Sequence, residues 1–265
     1  DGLRLGYEPQ HNLQAQRQQV SRIAHAVRSG NIKGKMMELA IDTSTDTASI
    51  ALSRSGVVVA EMSWNADQNH TVELIPNIID LLEQAQAEID DIEAVMVAKG
   101  PGSFNGLRVG FATAKGFALS MDIPLVSVGT LELEAYPHAS TGLLVCPVQD
   151  VGRGEVAVAL YRMDEGEWRQ LVEEHVTTVE ELCDATGSRT SFCGRFSQRS
   201  PGIAQRIGEL LGDKAVIEDN TFCRAGVLAD LGYRRLECGQ REDVATVQPL
   251  YLRRPAITKP KRGKL

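Results

Sequence analysis

The sequence predicts an α/β fold with two lobes, each a mixed β-sheet flanked by helices. Apolar runs typical of strands alternate with runs whose apolar residues recur at helical spacing. A glycine-rich link joins one buried strand to the helix that follows it, and a group of three strand-like runs opens both halves of the chain. With 265 residues, of which 43% are hydrophobic, the chain can bury one large core or two modest ones.

The first lobe is assigned to residues 36–139 and opens with three predicted strands. Residues 37–42 form a hydrophobic run that ends at Asp42, in the acidic and hydroxyl-rich turn D-T-S-T. Two further strand-like runs follow over residues 47–53 and 56–63. The lobe is therefore expected to begin with three antiparallel strands, followed by a helix.

A glycine-rich link, K-G-P-G-S-F-N-G-L-R over residues 99–108, joins a predicted buried strand at residues 93–98 to a helix that is apolar from Leu107 onward. Backbone N–H groups at a helix start are unpaired, and glycine lets another group come close to the backbone. The link is therefore suited either to holding an anion or to packing tightly against another backbone segment. Asn105 is expected to be a good cap for the helix.

Two predicted helices of the first lobe are apolar around most of their circumference. In residues 71–87 the apolar side chains are spread around the helix instead of forming one stripe. The helix after the glycine-rich link has one large apolar face and an opposite face of small residues, which permits close helix packing. A helix with two apolar faces is either sandwiched within its own domain or packed against another protein.

The second lobe is assigned to residues 140–243 and repeats the three-strand opening. Its strands are predicted at residues 142–148, 155–162, 168–175 and 190–193. Its helices are predicted at residues 179–185, 201–211 and 223–239.

Charge is distributed unevenly between the termini and the body. Residues 1–35, interpreted as an N-terminal extension with an amphipathic helix over residues 14–28, carry six basic and two acidic side chains. The C-terminal tail, residues 244–265, carries six basic and no acidic ones, so residues 36–243 have a net charge of -17. A body that acidic repels nucleic acid, whereas the tail is either a nucleic-acid or partner contact or a solvated terminus.

The five cysteines are odd in number and include no C-x-x-C pair, which indicates reduced thiols in a cytoplasmic protein. No apolar run is long enough to span a bilayer, so no membrane partner is expected.

Four motifs in order give the chain a family resemblance. They are D-T-S-T at 42–45, H-T-V-E-L-I-P at 70–76, G-P-G-S-F-N-G-L-R at 100–108 and D-V-G-R-G-E-V at 150–156, with P-L-Y-L-R at 249–253 closing the match. The chain resembles the actin-like ATPase superfamily, with its ribonuclease H-like lobes. Within it, the chain resembles the glycoprotease-like TsaB family, the companion subunit of the bacterial tRNA threonylcarbamoyladenosine transferase. Asn105 and the pair Val151-Gly152 depart from the family, which usually has Thr and Ala-Arg there.

The resemblance implies a nucleotide site between the lobes, reduced to a remnant. In this superfamily acidic hairpins from each lobe hold magnesium and phosphate, and Asp42 and Asp150 take the corresponding places. The second lobe offers one glycine, Gly194, where an adenosine loop is needed. No catalytic residue, metal ligand or tightly bound cofactor is assigned, and ATP with magnesium is expected only at the level of a complex. His70 is interpreted as a helix-start residue. The remnant comprises Asp42, Thr43, Ser44, Gly100, Gly102, Ser103 and Asp150.

The resemblance also implies a partner. A non-catalytic scaffold would pair with a TsaD-like catalytic homologue in the cytoplasm, a TsaE-like ATPase would join the pair, and tRNA would be bound through the complex. The two apolar helices of the first lobe would then form the dimer surface. When the homologue is absent, the same helices would pair two copies of this chain. The alternative is a small-molecule kinase or ATPase with a complete site between the lobes. The predicted contact residues are Leu74, Ile78, Leu81, Phe111, Ala114 and Ala118.

Overall fold

A computed structural model describes residues 37–66, 69–218 and 222–252. They form two five-stranded mixed sheets flanked by helices, which confirms the predicted two-lobed α/β fold. The strands are β1 Met37–Asp42, β2 Thr47–Arg54, β3 Val57–Asn65, β4 Ile92–Ala98, β5 Leu125–Val128, β6 Leu144–Gly152, β7 Glu155–Asp164, β8 Glu167–Thr178, β9 Thr190–Cys193 and β10 Ala215–Ile217. The helices are α1 His70–Gln84, α2 Phe104–Met121, α3 Thr130–Ala135, α4 Val179–Ala185, α5 Phe196–Arg199, α6 Pro201–Leu211 and α7 Arg224–Glu237.

The two sheets share one topology. The first has the strand order β3-β2-β1-β4-β5, and the second has the equivalent order β8-β7-β6-β9-β10. In each sheet the first three strands along the chain pair antiparallel and the last two join in parallel. The carboxyl ends of β1 and β6 consequently lie at equivalent places in the two lobes, where Asp42 and Asp150 stand.

The last described helix belongs to the first lobe. Sequence reasoning placed residues 223–239 in the second lobe, but α7 packs on one face of the first sheet. Val247, predicted to lie in the tail, packs into the core on the other face of that sheet. Helix α3 contacts both lobes, since Leu133 joins the core of the first and Leu131 that of the second. The boundary at residue 140 therefore separates the sheets but not the helices that cover them.

Helices α1 and α2 cover the face of the first sheet opposite α7, and this corrects the predicted contact residues. All six are at most 4% exposed and belong to one core cluster with β1, β2 and β4, so they are inaccessible to a partner. Their side chains form the stripe that each helix turns towards its own sheet. The contact residues predicted wrongly are Leu74, Ile78, Leu81, Phe111, Ala114 and Ala118.

The opposite stripe of the same two helices is apolar and exposed. Val72 and Leu119 are each 69% exposed, Ile79 is 49% exposed and Ile75 is 44% exposed. We call Val72, Ile75, Ile79 and Leu119 the outer helix face. Gly116, also on α2, is exposed and has open space where a Cβ would lie.

The glycine-rich link packs directly against the turn that follows β1. A Cβ on Gly102 would lie 2.2 Å from the carbonyl oxygen of Ser44, and one on Gly106 would lie 2.1 Å from that of Thr43. The Thr43 hydroxyl donates to the Gly106 carbonyl at 2.7 Å, and the Ser103 N–H donates to the Ser44 carbonyl at 2.7 Å. Of the two roles left open by the sequence, the link adopts close backbone packing.

His70 lies beside this contact. It is the first residue of α1, as predicted, and only 4% of it is exposed. Neither ring nitrogen has a hydrogen-bond partner, and Nε2 would lie 3.3 Å from a Cβ on Gly106. Burial lowers the pKa of His70 below its ordinary 6.5, although the charges of Glu73, Asp42 and Asp46 oppose this shift. The imidazole is therefore neutral at pH 7.

Two predicted segments lie outside the described residues: the extension at 1–35 with its helix at 14–28, and the basic part of the tail from Arg253 onward. Within the ranges that are described, no helix combines the length and hydrophobicity needed to cross a lipid bilayer.

The packing of the link predicts opposite effects for two glycines of α2. Gly106→Ala should lower the free energy of unfolding by about 1–3 kcal/mol, because its methyl group overlaps the Thr43 carbonyl. Gly116→Ala is the matched control, since it adds the same methyl group to open space and should raise stability by up to about 1 kcal/mol. Urea unfolding measures both. Equal effects of the two substitutions would contradict the assigned contact.

The depressed pKa of His70 predicts a loss of stability in acid. As the pH falls below about 6.5, the unfolded chain takes up a proton that the folded chain refuses until a lower pH, so unfolding is favoured. His70→Phe removes this proton linkage. The variant should lose less stability than the parent between pH 7.5 and 5.5, by at most about 1.4 kcal/mol per pH unit. If the free energies of unfolding of the parent and the variant changed equally with pH, the proton linkage would be ruled out.

Candidate functional site

A cavity of about 320 Å³ lies between the lobes, beside the turn after β1. It is lined from the first lobe by that turn, α3 and the start of α7, and from the second lobe by the end of β6 and the segment around α5. Its charged lining residues are Asp46, Glu134, Asp150, Arg195, Arg199 and Arg224. Three acidic and three basic side chains therefore face one another around the cavity.

Arg224 is the central charged group of the site. Its Nε donates to Asp42 Oδ2 at 2.6 Å, and its Nη1 donates to Glu134 Oε1 at 3.0 Å. Its Nη2 donates to the Thr45 hydroxyl at 2.7 Å and to the Thr47 carbonyl at 3.3 Å. The guanidinium thus joins the end of β1, the β1–β2 turn and α3.

The position of Arg224 requires its two carboxylate partners. It is the first residue of α7, where the helix dipole disfavours a cation, and only 6% of it is exposed. Burial alone would lower the pKa of Arg224, but the charges and hydrogen bonds of Asp42 and Glu134 outweigh burial and raise that pKa. The remaining oxygen of Asp42 accepts from the Ser44 N–H at 2.8 Å and from its hydroxyl at 2.6 Å. Both oxygens of Asp42 are therefore engaged by the protein.

A second ion-pair group crosses from one lobe to the other. Arg199 of α5 pairs with Asp46, the last residue of the turn between β1 and β2, and Arg195 lies 3.7 Å from the same carboxylate. Burial alone would raise the pKa of Asp46, but the hydrogen bond and charge of Arg199, with the charge of Arg195, hold it below its usual value. Burial, together with the like charges of Arg199 and Arg224, lowers the pKa of Arg195. These contacts tie the lobes together across the cavity.

Asp150, near the end of β6, lines the cavity from the second lobe. Its two oxygens accept from the Gly152 N–H at 2.7 Å and from the Ser200 hydroxyl at 2.6 Å. Gln149, beside it, has a buried Oε1 with no hydrogen-bond partner. Both donors to Asp150 come from the second lobe. The carboxylate therefore links the β6–β7 hairpin to Ser200 at the start of α6.

The structure brings the predicted remnant together but gives most of it other partners. Thr43 and Ser44 are buried in the contact with the glycine-rich link, and Gly102 is needed for that contact. Gly100 has φ of +107° and donates its N–H to the Thr130 hydroxyl at 3.2 Å. Ser103, not the predicted Asn105, caps α2 by accepting from the Gly106 N–H at 3.3 Å.

A magnesium nucleotide, the group that the superfamily resemblance implies, does not fit these residues. Asp42 is fully buried and does not line the cavity, because Arg224 lies against it. The Ser103 N–H of the link is already donated to the Ser44 carbonyl, although Ser103 itself lines the cavity. In the described part of the chain, no group of three or more His, Cys, Asp or Glu side chains is placed to hold a metal ion.

Sequence reasoning missed Arg224, Glu134 and the pair of Asp46 with Arg199. Arg224 is 182 residues from Asp42, so no local pattern connects the two. One signal was available, because an arginine at the start of a helix opposes the helix dipole and is stabilised by a carboxylate nearby. That signal shows the need for an acidic partner without identifying it.

The chain resembles proteins of tRNA modification in sequence. The family model described as "TsaD: tRNA N6-adenosine threonylcarbamoyltransferase" matches residues 47–198. The tRNA threonylcarbamoyladenosine biosynthesis protein TsaB of Bacillus subtilis (strain 168) is 34% identical over 222 residues, covering 82% of this chain and 94% of that protein. The Escherichia coli (strain K12) protein of the same name is 30% identical over 235 residues, covering 86% of this chain and 100% of that protein.

Solved structures share the fold. A Pseudomonas aeruginosa protein described as uncharacterized with similarity to peptidase YeaZ superposes with a TM-score of 0.69 at 24% identity. YeaZ from the same organism superposes with a TM-score of 0.68 at 23% identity, and each match covers 82% of this chain and 100% of the other. Because these two TsaB proteins are at least 30% identical to this chain over most of its length, the chain belongs to the TsaB family.

Proposed function

We propose that this chain is a non-catalytic scaffold subunit for the threonylcarbamoylation of the adenosine next to the anticodon, in tRNAs that read codons beginning with A. A TsaD-like homologue supplies the catalytic site, and a TsaE-like ATPase joins the pair. The names of the TsaB relatives, which are tRNA threonylcarbamoyladenosine biosynthesis proteins, support the pathway. The observation that carries the scaffold role is the outer helix face.

The outer helix face has the properties of a partner surface. Val72, Ile75, Ile79 and Leu119 are 44–69% exposed, although their helices already bury a full apolar stripe against the first sheet. Large exposed apolar side chains on the outward faces of neighbouring helices are typical of association surfaces in proteins. Small residues such as Gly116 on the same side of α2 leave room for another helix to approach. A TsaD-like homologue is the occupant that we propose.

The charge and the thiols of the chain support the remaining parts of the proposal. A net charge of -17 on residues 36–243 repels a phosphate backbone, so tRNA is bound through the complex. All five cysteines are free thiols, which fits the reducing cytoplasm as the compartment. No cofactor is bound tightly by the chain alone, and ATP with magnesium acts at the level of the complex.

The rival function, a small-molecule kinase or ATPase acting between the lobes, has weaker support. It requires Asp42 and Asp150 to organise magnesium and residues 100–103 to contact phosphate. Asp42 is ion-paired with Arg224, and Asp150 holds its own hairpin through Ser200 and Gly152. Calorimetry with magnesium and ATP on the isolated chain separates the two functions, since micromolar binding favours the enzyme.

The scaffold proposal predicts that Leu119→Glu prevents pairing. A carboxylate buried without a partner at the interface should raise the Kd for the TsaD-like homologue at least tenfold, equivalent to about 1.4 kcal/mol or more. Threonylcarbamoyl transfer to tRNA by the reconstituted complex should fall with it. Analytical ultracentrifugation of the two purified chains measures the Kd, and the Tm of the variant alone should match that of the parent.

Leu210→Glu is the matched control, because Leu210 is 41% exposed on α6 of the second lobe. It introduces the same charge away from the outer helix face and should leave pairing and transfer unchanged. Ala114→Glu is unsuitable for this test, since Ala114 is fully buried and a carboxylate there would disrupt the core. A Leu119→Glu chain that pairs as tightly as the Leu210→Glu chain would defeat the proposal.

A further inference from the structure

We propose that this chain binds an unpaired nucleotide of the tRNA at the place where the glycine-rich link meets the C-terminal segment. We call Phe104, Arg108 and Tyr251, with the cavity beside them, the aromatic corner. The inference rests on the proposed function, which brings tRNA to the complex. It goes beyond that function by giving this chain a direct contact with the RNA.

The aromatic corner combines two rings with a cation. The ring centroids of Phe104, at the start of α2, and Tyr251 are 5.1 Å apart, and the Arg108 guanidinium lies 4.7 Å from the Phe104 centroid. Tyr251 is 37% exposed, and Arg108 is exposed as well. Proteins that bind single-stranded nucleic acid stack its bases on exposed aromatic rings, often beside an arginine. The corner therefore offers the groups that such a base requires.

Contacts on both sides of Tyr251 hold its backbone in place. The Leu250 N–H donates to the Lys99 carbonyl at 2.8 Å, and a Cβ on Gly100 would lie 2.7 Å from the Leu250 carbonyl oxygen. Leu252, the next residue, packs against the hydrophobic core that α3 shares with the second lobe. A ring presented by a fixed backbone loses little conformational entropy when a ligand stacks on it.

A cavity of about 400 Å³ opens beside the two rings and has room for a nucleobase. Phe104, Tyr251 and apolar side chains of both lobes line most of it, while Ser103, Gln149 and Asp150 supply polar groups. Unpaired bases are recognised by stacking and by hydrogen bonds to the base edge. The Asp150 carboxylate accepts one hydrogen bond at each oxygen, so it can also accept from an exocyclic amino group of a base.

The charges at the aromatic corner suit a phosphate backbone, although residues 36–243 as a whole carry a net charge of -17. The link and α2, residues 99–121, contain three basic and no acidic side chains. Neither Lys99 nor Arg108 forms an ion pair with a carboxylate of the described residues. Residues 253–265 follow the corner directly in sequence and contain six basic and no acidic side chains. Clustered lysine and arginine bind nucleic acid by releasing its counterions, so this corner attracts RNA.

The test measures the Kd of the complex between this chain and the TsaD-like homologue for a tRNA transcript that reads codons beginning with A. Tyr251→Ala should raise this Kd roughly fivefold or more, because a base loses its stacking partner. Tyr251→Phe is the matched control, since it keeps the ring and should leave the Kd unchanged. Fluorescence anisotropy of labelled tRNA measures the Kd.

A second variant tests the charges. Arg253→Gln combined with Arg254→Gln should raise the Kd and lower the slope of log Kd against log salt concentration by about 1–2, because two phosphate contacts are lost. Its matched control is Arg189→Gln combined with Lys214→Gln, which removes two exposed basic side chains of the second lobe. That control should change neither the Kd nor the slope.

Analytical ultracentrifugation of each variant with the homologue separates this inference from the scaffold role. A parent chain that does not pair defeats the scaffold role, whereas the inference is judged on complexes that form. Three results would overturn it. The first is an unchanged Kd for tRNA in both Tyr251→Ala and the Arg253→Gln, Arg254→Gln chain. The second is an equal rise in Kd for Tyr251→Ala and Tyr251→Phe. The third is a loss of pairing in the Arg253→Gln, Arg254→Gln chain, since the basic segment would then contact the partner protein.

Discussion

The close approach of the glycine-rich link to the turn after β1 determines the arrangement of this cleft. Carbonyl groups of Thr43 and Ser44 lie where a Cβ on Gly106 or Gly102 would stand, so only glycine allows the two backbones to meet. The contact engages the Ser103 N–H and the Thr43 hydroxyl in hydrogen bonds within the protein. A loop of a type often associated with phosphate is here a structural joint between β1 and α2.

Charged side chains contact the same turn from α7 and from the second lobe. Arg224 reaches the turn from α7 and contacts Asp42 and Thr45, while Arg199 reaches Asp46 from the second lobe. Breaking a buried ion pair by removing one partner costs about 3–5 kcal/mol, even where the intact pair adds little net stability. This cost applies to the buried pairs of Arg224, which fix α7 against β1 and α3, whereas the Arg199–Asp46 pair that crosses to the second lobe is half-exposed and contributes less.

The order and type of most elements could be predicted from the sequence, because apolar periodicity and glycine positions are local signals. The bounds of α4, α6 and β9 matched the prediction, whereas β5, β10, α3 and α5, each three to six residues long, were missed. The direction of the apolar stripes could not be predicted, since α1 and α2 are apolar on two faces and spacing alone does not identify the face that meets the sheet. Arg224 was missed because its acidic partners are 182 and 90 residues away in sequence.

The outer helix face also limits how strongly two copies of this chain can pair. Pairing two copies would cover the exposed parts of four large side chains on each, which would contribute roughly 7–14 kcal/mol, at about 1.5–3 kcal/mol for each side chain buried completely. Association costs about 4–15 kcal/mol in lost translational and rotational freedom, so the gain from these side chains and the cost of association are of similar size. A tight partner must add polar contacts around this apolar centre. A homologue with its own complementary rim can do so, whereas two identical copies face each other with the same charges.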